Sequence, residues 1–208
     1  MRVKKIFLFD LDGVLIDSKK NMEYSWKVVT KKYGIKISFN KYFENIGLPF
    51  IQILKKIKVD PIYFARFEKE YRFNSIKYLK HIKLYADVLH TLIELKKKKK
   101  IIGILTSKER VRTIRILKNL NIKVDVVMCP YKNYIGKPNP KQINEFLKKK
   151  KLLKSDLVYV GDMLVDKITA RNANVDYIHA NYGYSSNLKN KYFINNISEI
   201  LKKNYGIF

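Results

Sequence analysis

Short runs of apolar, β-forming residues recur along the chain, and amphipathic stretches separate them. The runs lie at positions 3–9, 101–106, 125–129, 157–160 and 177–180, with a smaller one near 192–194. Apolar residues at helical spacing fill about 87–98, 109–120, 140–151 and 164–173, and a last helical stretch covers about 197–204. Strands that alternate with helices in this way predict a parallel sheet covered by helices on both faces.

The interval from 18 to 83 breaks this alternation. Ser18 is placed to cap a helix that ends at Gly34, and further helical patterns cover about 49–58 and 61–80. No strand pattern stands out inside the interval. We therefore predict an α/β core built from residues 1–17 and 84–208, with an all-helical insert at 18–83.

Length and composition favour a globular chain. Of its 208 residues, 47% are apolar and 30% are charged, which is enough apolar material for a packed core. The single cysteine, Cys129, excludes a disulfide framework and a cysteine-rich zinc site. No apolar run approaches the roughly 18 residues of a membrane span, and Asp10 and Asp12 interrupt the N-terminal stretch where a signal peptide would be continuous. We expect a cytoplasmic protein with no membrane partner.

The net charge of +26 raises the question of nucleic-acid binding. Lysines number 37 and arginines only 7, whereas proteins that recognise bases and phosphates favour the arginine fork. Lys, Ile, Asn and Tyr all have A/T-rich codons, so a genome-wide base bias explains their abundance as well as a partner does. We expect a solvated basic surface without a specific nucleic-acid partner, although its field could attract small phosphorylated anions.

Polar residues collect where the predicted strands end, and there an open parallel sheet binds its ligands. Carboxylates crowded at one place repel one another unless a cation joins them, and hard oxygen ligands suit Mg²⁺. A lysine and a hydroxyl beside them suit a phosphate group. The residues concerned are Asp10, Asp12, Thr106, Ser107, Lys137, Asp162 and Asp166.

Two of these carboxylates are spaced for phosphoryl transfer. Asp10 could attack phosphorus as a nucleophile and form an aspartyl-phosphate. Asp12, two residues on, could protonate the leaving alcohol and then deprotonate the attacking water. A strand end without a metal also favours Asp and Gly, so this pair alone could be solvated turn residues.

Four motifs in order resemble the signatures of the haloacid dehalogenase superfamily. They are FDLDGVL at the first strand, ILTS at the second, GKPNP after the third and GDMLVD at the fourth. The helical insert resembles the cap of the phosphoglycolate phosphatase and β-phosphoglucomutase branch. This resemblance implies a Rossmann-like sheet with strand order 3-2-1-4-5.

The resemblance also implies roles for the individual residues. It makes Asp10 the nucleophile and a Mg²⁺ ligand, and Asp12 the acid/base with its main-chain carbonyl on the metal. Thr106, Ser107 and Lys137 match phosphate-holding positions, although asparagine often stands where Ser107 is. Asp162 matches a metal ligand, and Asp166 matches a residue that supports the metal directly or through water.

The sequence thus predicts a Mg²⁺-dependent phosphatase that acts on a small phosphorylated metabolite, of the sugar phosphate or phosphoglycolate type. A phosphomutase would keep the same four motifs, and a basic nucleic-acid-binding protein is the alternative from another class. The segment Gly47, Leu48 and Pro49 is either a cap loop over the site or an ordinary turn between helices. The pattern does not indicate an oligomeric state.

Overall fold

The structure is a computed structural model that describes residues 4–131, 136–185 and 188–202. The predicted first strand begins at Val3, and the predicted last helix ends at about position 204. Both of these positions lie outside the described residues.

Eight strands form two sheets, a parallel sheet of six and a ribbon of two. The order of the large sheet is β5-β4-β1-β6-β7-β8, so the predicted order of the first five core strands is confirmed and a sixth strand extends it. In chain order the strands are β1 (Ile6–Phe9), β2 (Ile16–Asp17), β3 (Lys83–Leu84), β4 (Ile101–Leu105), β5 (Val126–Met128), β6 (Leu157–Gly161), β7 (Asp176–Ala180) and β8 (Phe193–Ile194).

The α-helices cover both faces of the large sheet and make up most of the insert. They are α1 (Lys19–Tyr33), α2 (Phe39–Phe43), α3 (Phe50–Lys56), α4 (Phe64–Lys77), α5 (Val88–Lys97), α6 (Arg110–Asn119), α7 (Lys141–Lys150), α8 (Leu164–Ala173) and α9 (Glu199–Lys202). Short 3₁₀ turns lie at Pro61–Tyr63, Leu79–His81 and Lys154–Asp156. None of the helices in the described part of the chain is long and apolar enough to cross a bilayer.

Strand β1 lies at the centre of the sheet because it is apolar on both faces. All four of its residues are buried, and it pairs in parallel with β4 on one side and β6 on the other. Phe7 and Phe9 pack in the core under α5 and α6, whereas Ile6 and Leu8 pack in the core under α7 and α8. The side-chain alternation of one strand therefore supplies both layers of core.

The insert has a hydrophobic core of its own. Trp26 on α1 stacks on Tyr42 of α2 with ring centroids 4.5 Å apart, and Phe67 and Tyr71 of α4 lie in the same cluster. Helix α1 ends as predicted at Gly34, whose φ of 65° is the left-handed conformation that glycine adopts without strain. The five-residue helix α2 was not predicted, because it is too short to show a periodicity.

The chain enters and leaves the insert through the β2–β3 ribbon. Ile16 pairs with Leu84 and Asp17 with Lys83 in antiparallel register. The prediction of an all-helical insert needs one correction here, since Lys83 at its end lies in a strand. A strand of two residues carries no recognisable pattern. We infer that the boundary between the α/β core and the insert, hereafter the cap, lies at this ribbon.

Truncation of the central strand should destabilise the protein strongly. Leu8 is fully buried, so Leu8→Ala should lower the free energy of unfolding by ~2–5 kcal/mol, through lost burial and the cavity left behind. The matched control is Leu153→Ala, at a leucine that is 53% exposed, where a change below ~0.5 kcal/mol is expected. Urea unfolding of both variants measures the difference. Equal losses would contradict a core centred on β1.

Candidate active site

The residues that the sequence predicts for the site lie at the carboxyl edge of the parallel sheet. Asp10 directly follows β1, Thr106 follows β4 and Asp162 follows β6. These three strands are neighbours in the sheet, and parallel strands end at one edge. The register therefore brings side chains together that lie about 100 and 150 positions apart in sequence.

Three buried carboxylates form a cluster at this edge. Asp10, Asp162 and Asp166 each place one oxygen so that the three atoms lie within 4.8 Å of one another. None of the three is more than 3% exposed. Like charges this close in a dry environment repel strongly, so the cluster needs a cation or retained protons.

Lys137 supplies part of the required positive charge. Its Nζ lies 3.0 Å from Asp10 Oδ1 and 2.7 Å from Asp166 Oδ1, and the residue is 1% exposed. Burial on its own lowers the pKa of this ammonium, but the two adjacent carboxylates outweigh burial and raise it. Lys137 therefore stays charged and neutralises one of the three acids.

The carboxyls that remain hold their protons more tightly than usual. Burial, opposed in part by Lys137, raises the pKa of Asp10 to about 7. Burial, together with the charges of Asp166 and Asp10, also raises the pKa of Asp162. The direction of both shifts indicates a cluster with more negative charge than Lys137 can neutralise.

Asp162 is held so that one of its oxygens has no protein partner. Its Oδ2 accepts a hydrogen bond of 2.8 Å from the Tyr184 backbone N–H, whereas its buried Oδ1 has no hydrogen-bond partner among the described residues. A Cβ on Gly13, whose φ is +88°, would lie 2.1 Å from Asp162 Oδ2. The backbone thus closes on one side of Asp162, and the unpaired oxygen fits a hard cation such as Mg²⁺.

Asp166 differs from the other two acids, because protein donors fill both of its oxygens. Oδ1 accepts from Lys137 Nζ and, at 2.8 Å, from the Tyr159 hydroxyl. Oδ2 accepts from the backbone N–H groups of Asp162 at 3.2 Å and Met163 at 3.0 Å. This arrangement suits a residue that positions Lys137 and the loop carrying Asp162. Direct metal contact by Asp166 stays a prediction.

The carboxylate of Asp12 is held by two groups outside the cluster of three acids. The Ser18 hydroxyl donates a hydrogen bond to its Oδ1, and Lys108 Nζ lies 3.2 Å from its Oδ2. Ser18 occupies the N-cap position of α1 as predicted, but its side chain makes no capping hydrogen bond. The Ser18 hydroxyl donates to the carboxylate of Asp12 instead, and this hydrogen bond joins the start of the cap to the site.

The second motif serves both the site and the cap. Thr106 is buried, and its Oγ1 accepts a hydrogen bond of 3.1 Å from the Lys108 backbone N–H. The Ser107 hydroxyl donates to the carbonyl oxygen of Gly47 in the cap. The Ser107 side chain thus contacts the cap loop in this structure, and its assignment to phosphate binding stays a prediction. The contact also places Gly47 at the site, where Leu48 lines the same cavity, as the cap-loop hypothesis expects.

Cap and core together line a small, partly open cavity of about 40 Å³. A buried water needs about 10–15 Å³ of such volume, so the space suits a compact ligand. Its lining combines charged groups of the core with aromatic and aliphatic groups of the cap: Asp10, Asp12, Met22, Tyr42, Ile46, Gly47, Leu48, Phe50, Ile53, Tyr71, Thr106, Ser107, Lys108, Arg112, Lys137 and Met163.

Sequence reasoning did not assign Lys108 or Arg112 to the site, yet both are buried in its wall. They are 7% and 6% exposed and lie four positions apart at the start of α6. One lysine among 37 gives no signal by itself. The usable signal was the presence of two cations four positions apart, one just before α6 and one in its first turn, directly after the second motif. Tyr42 and Tyr71, whose hydroxyls lie 3.0 Å apart, could not be placed, because the packing of the cap decides which face they take.

The whole chain resembles proteins of known class. A model of haloacid dehalogenase-like hydrolases matches residues 7–180. A phosphoglycolate phosphatase of Aquifex aeolicus is 26% identical over 86% of this chain and 86% of its own length. A glyceraldehyde 3-phosphate phosphatase of Pyrococcus furiosus is 24% identical over 92% of this chain and 87% of its own length. The solved structure of a haloacid dehalogenase-like hydrolase from Streptococcus pneumoniae superimposes with a TM-score of 0.82 at 20% identity. The superposition covers 96% of this chain and 97% of that protein.

The raised pKa values predict a pH dependence of cation binding. Below about pH 7 the metal-free site keeps the proton of Asp10, and a cation must displace it. Mg²⁺ affinity should therefore rise by roughly tenfold or more for each pH unit between about 5 and 7, because Asp162, whose pKa is also raised, must lose its proton as well. Calorimetric titration of Mg²⁺ at several pH values measures this slope.

Asp10→Asn should reduce the pH slope, because the proton of Asp10 no longer has to be displaced and only that of Asp162 remains. Glu44→Gln, at an exposed glutamate of the cap, should leave the slope unchanged. A wild-type affinity for Mg²⁺ that does not vary between pH 5 and 7 would contradict the assignment.

Proposed function

The chain belongs to the haloacid dehalogenase-like hydrolase family, and on that premise we propose that it hydrolyses a small phosphomonoester, with Mg²⁺ as cofactor, through a phosphoaspartate at Asp10. The observation that carries the proposal is the setting of Asp10. It is buried at the end of the central strand, paired with Lys137 at 3.0 Å and clustered with Asp162. We propose a sugar phosphate or phosphoglycolate as the substrate type, because similar proteins include a glyceraldehyde 3-phosphate phosphatase and a phosphoglycolate phosphatase.

We assign the Mg²⁺ to Asp10 and Asp162. The support is the buried and unpaired Oδ1 of Asp162 and the negative charge that Lys137 leaves unbalanced. The family resemblance adds the main-chain carbonyl of Asp12 to this ligand set. When bound, the cation would offset the repulsion between nucleophile and phosphate and polarise the phosphoryl oxygens.

In the first step a carboxylate oxygen of Asp10 bonds to phosphorus as the bond from phosphorus to the ester oxygen breaks. Asp12 gives its proton to that departing oxygen, so the leaving group is an alcohol. The Lys137 ammonium and the Thr106 hydroxyl are the donors assigned to the phosphoryl oxygens. Both side chains are buried, and they are therefore fixed before substrate arrives.

In the second step water attacks the phosphorus of the phosphoaspartate. Asp12 takes a proton from the water, the bond from phosphorus to Asp10 breaks, and inorganic phosphate leaves, with Asp10 again a carboxylate and Asp12 again the protonated acid. The contacts of Asp12 with Ser18 and Lys108 hold its carboxylate in one orientation for both proton transfers. The contact of Ser107 with Gly47 keeps the cap over the site while the acyl phosphate exists.

A phosphomutase would use the same groups in the first step and return the phosphoryl group to a second substrate hydroxyl. No feature of the described residues favours that outcome over hydrolysis. The two chemistries separate in one assay, because a mutase requires a bisphosphorylated activator and a phosphatase releases inorganic phosphate without it.

Removal of the nucleophile should abolish turnover. Phosphate release from a panel of phosphomonoesters should depend on Mg²⁺ in the wild type and fall to background in Asp10→Asn. Asp60→Asn is the matched control, since Asp60 is an exposed aspartate of the cap and its replacement should change the rate less than twofold. Activity that survives in Asp10→Asn would refute the phosphoaspartate.

Removal of the acid/base should separate the two steps. With an alkyl phosphate, Asp12→Asn should lose roughly 10²- to 10⁴-fold in kcat. With p-nitrophenyl phosphate the leaving group needs no proton, so the variant should give a burst of nitrophenol followed by slow turnover. Acid quenching during the burst should yield a phosphorylated peptide that contains residue 10. If Asp12→Asn instead hydrolysed p-nitrophenyl phosphate with the same time course and steady-state rate as the wild type, Asp12 would not be the base.

A further inference from the structure

Arg112 is a buried cation that the proposed reaction does not use. It lies on α6 and is 6% exposed, and it lines the cavity between cap and core. Its Nε has no hydrogen-bond partner among the described residues. The carboxylate of Glu109 lies 4.0 Å from Nε, which is beyond hydrogen-bond distance. A buried guanidinium with an unused donor favours an anion at this place.

Lys108 adds a second positive charge to the same wall. It is also buried, and it lies one helical turn before Arg112. Its ammonium contacts Asp12 at 3.2 Å, and the carboxylate near Arg112 is Glu109, beyond hydrogen-bond distance. The ester phosphate is already provided for by Lys137 and Thr106 at the sheet edge. The charge of Lys108 and Arg112 is therefore additional to what a simple phosphomonoester needs.

The Arg112 guanidinium lies against an aromatic ring of the cap in the wall of the cavity. Its central carbon lies 5.5 Å from the centre of the Tyr71 ring, within the range of a cation–π contact. Tyr71 is fixed in turn by the Tyr42 hydroxyl. The Nε of this guanidinium, which is unpaired among the described residues, is a donor available to a carboxylate or phosphate.

We propose that Arg112, with Lys108 beside it, binds a second anionic group of the substrate, a carboxylate or a phosphate carried by the part of the molecule beyond the ester oxygen. The inference rests on the proposed phosphatase function and narrows it. The preferred substrates are then short phosphate esters or anhydrides with an acidic second end, and uncharged phosphomonoesters are poorer substrates.

The test compares substrates that differ in this second group. 2-Phosphoglycolate carries a carboxylate and pyrophosphate a second phosphate, whereas glycolamide phosphate and glyceraldehyde 3-phosphate have uncharged ends. For the wild type we expect kcat/KM to be at least roughly tenfold higher for 2-phosphoglycolate than for its amide, since hydrogen bonds to charged groups contribute this much. Comparison of kcat/KM for pyrophosphate and for 2-phosphoglycolate shows whether the site prefers a phosphate or a carboxylate. A wild-type ratio near one for both anionic substrates overturns the inference without any variant.

The variant arm assigns the preference to Arg112. Arg112→Gln should lower kcat/KM for the preferred anionic substrate roughly 10- to 100-fold and change that for glyceraldehyde 3-phosphate less than threefold, which also shows that the variant is folded. Arg115→Gln is the matched control, because Arg115 is an exposed arginine on the same helix and should behave as wild type. An equal loss on charged and uncharged substrates would make Arg112 a structural contact of the cap and overturn the inference.

Failure of the proposed function gives a different result. In that case the wild type releases phosphate from none of the four compounds. Calorimetric binding of 2-phosphoglycolate and glycolamide phosphate to the wild type then decides the inference separately. Tighter binding of the carboxylate, lost in Arg112→Gln, supports it, and equal affinities overturn it.

Discussion

The structure of the site depends on the ammonium of Lys137, buried between Asp10 and Asp166. Three carboxylates converge within 4.8 Å at the end of the sheet, and one lysine cannot balance them. Without Lys137 the cluster would hold its negative charge in a nearly dry environment, where a lone ion costs several kcal/mol. With it, the site is still short of positive charge. The Mg²⁺ that we propose would neutralise this remaining charge.

Cap and core depend on each other at the residues that face the reaction. Ser18 begins the first cap helix and donates to Asp12, Gly47 accepts from Ser107, and Tyr71 lies beside Arg112. Each of these contacts joins a cap residue to a residue on or next to a core motif. In the proposed reaction the cap would therefore cover the substrate and also help to orient the charged groups that act on it.

The core and the charged edge of the site could be predicted from sequence, because both follow from short-range patterns. Buried strands such as Ile6–Phe9 are continuous apolar runs, and polar residues at strand ends such as Asp10 and Asp162 share an edge once the strands are parallel. The ribbon at Lys83 could not be predicted, since two residues show no period. Arg112 was missed for another reason. Whether a helix face is buried depends on the tertiary contact with Tyr71, which no local pattern encodes.

The β2–β3 ribbon also bears on how the chain folds. The central pairing of Ile6 with Ile101 closes a loop of about 95 residues, and long loops are entropically costly to close. The ribbon holds Ile16 beside Leu84, so a cap that has already formed shortens the open loop to roughly 30 residues. The saving is about 1 kcal/mol of loop-closure entropy. Early formation of the inserted unit thus lowers the effective contact order of the sheet that it interrupts. It would therefore speed the assembly of the parallel core.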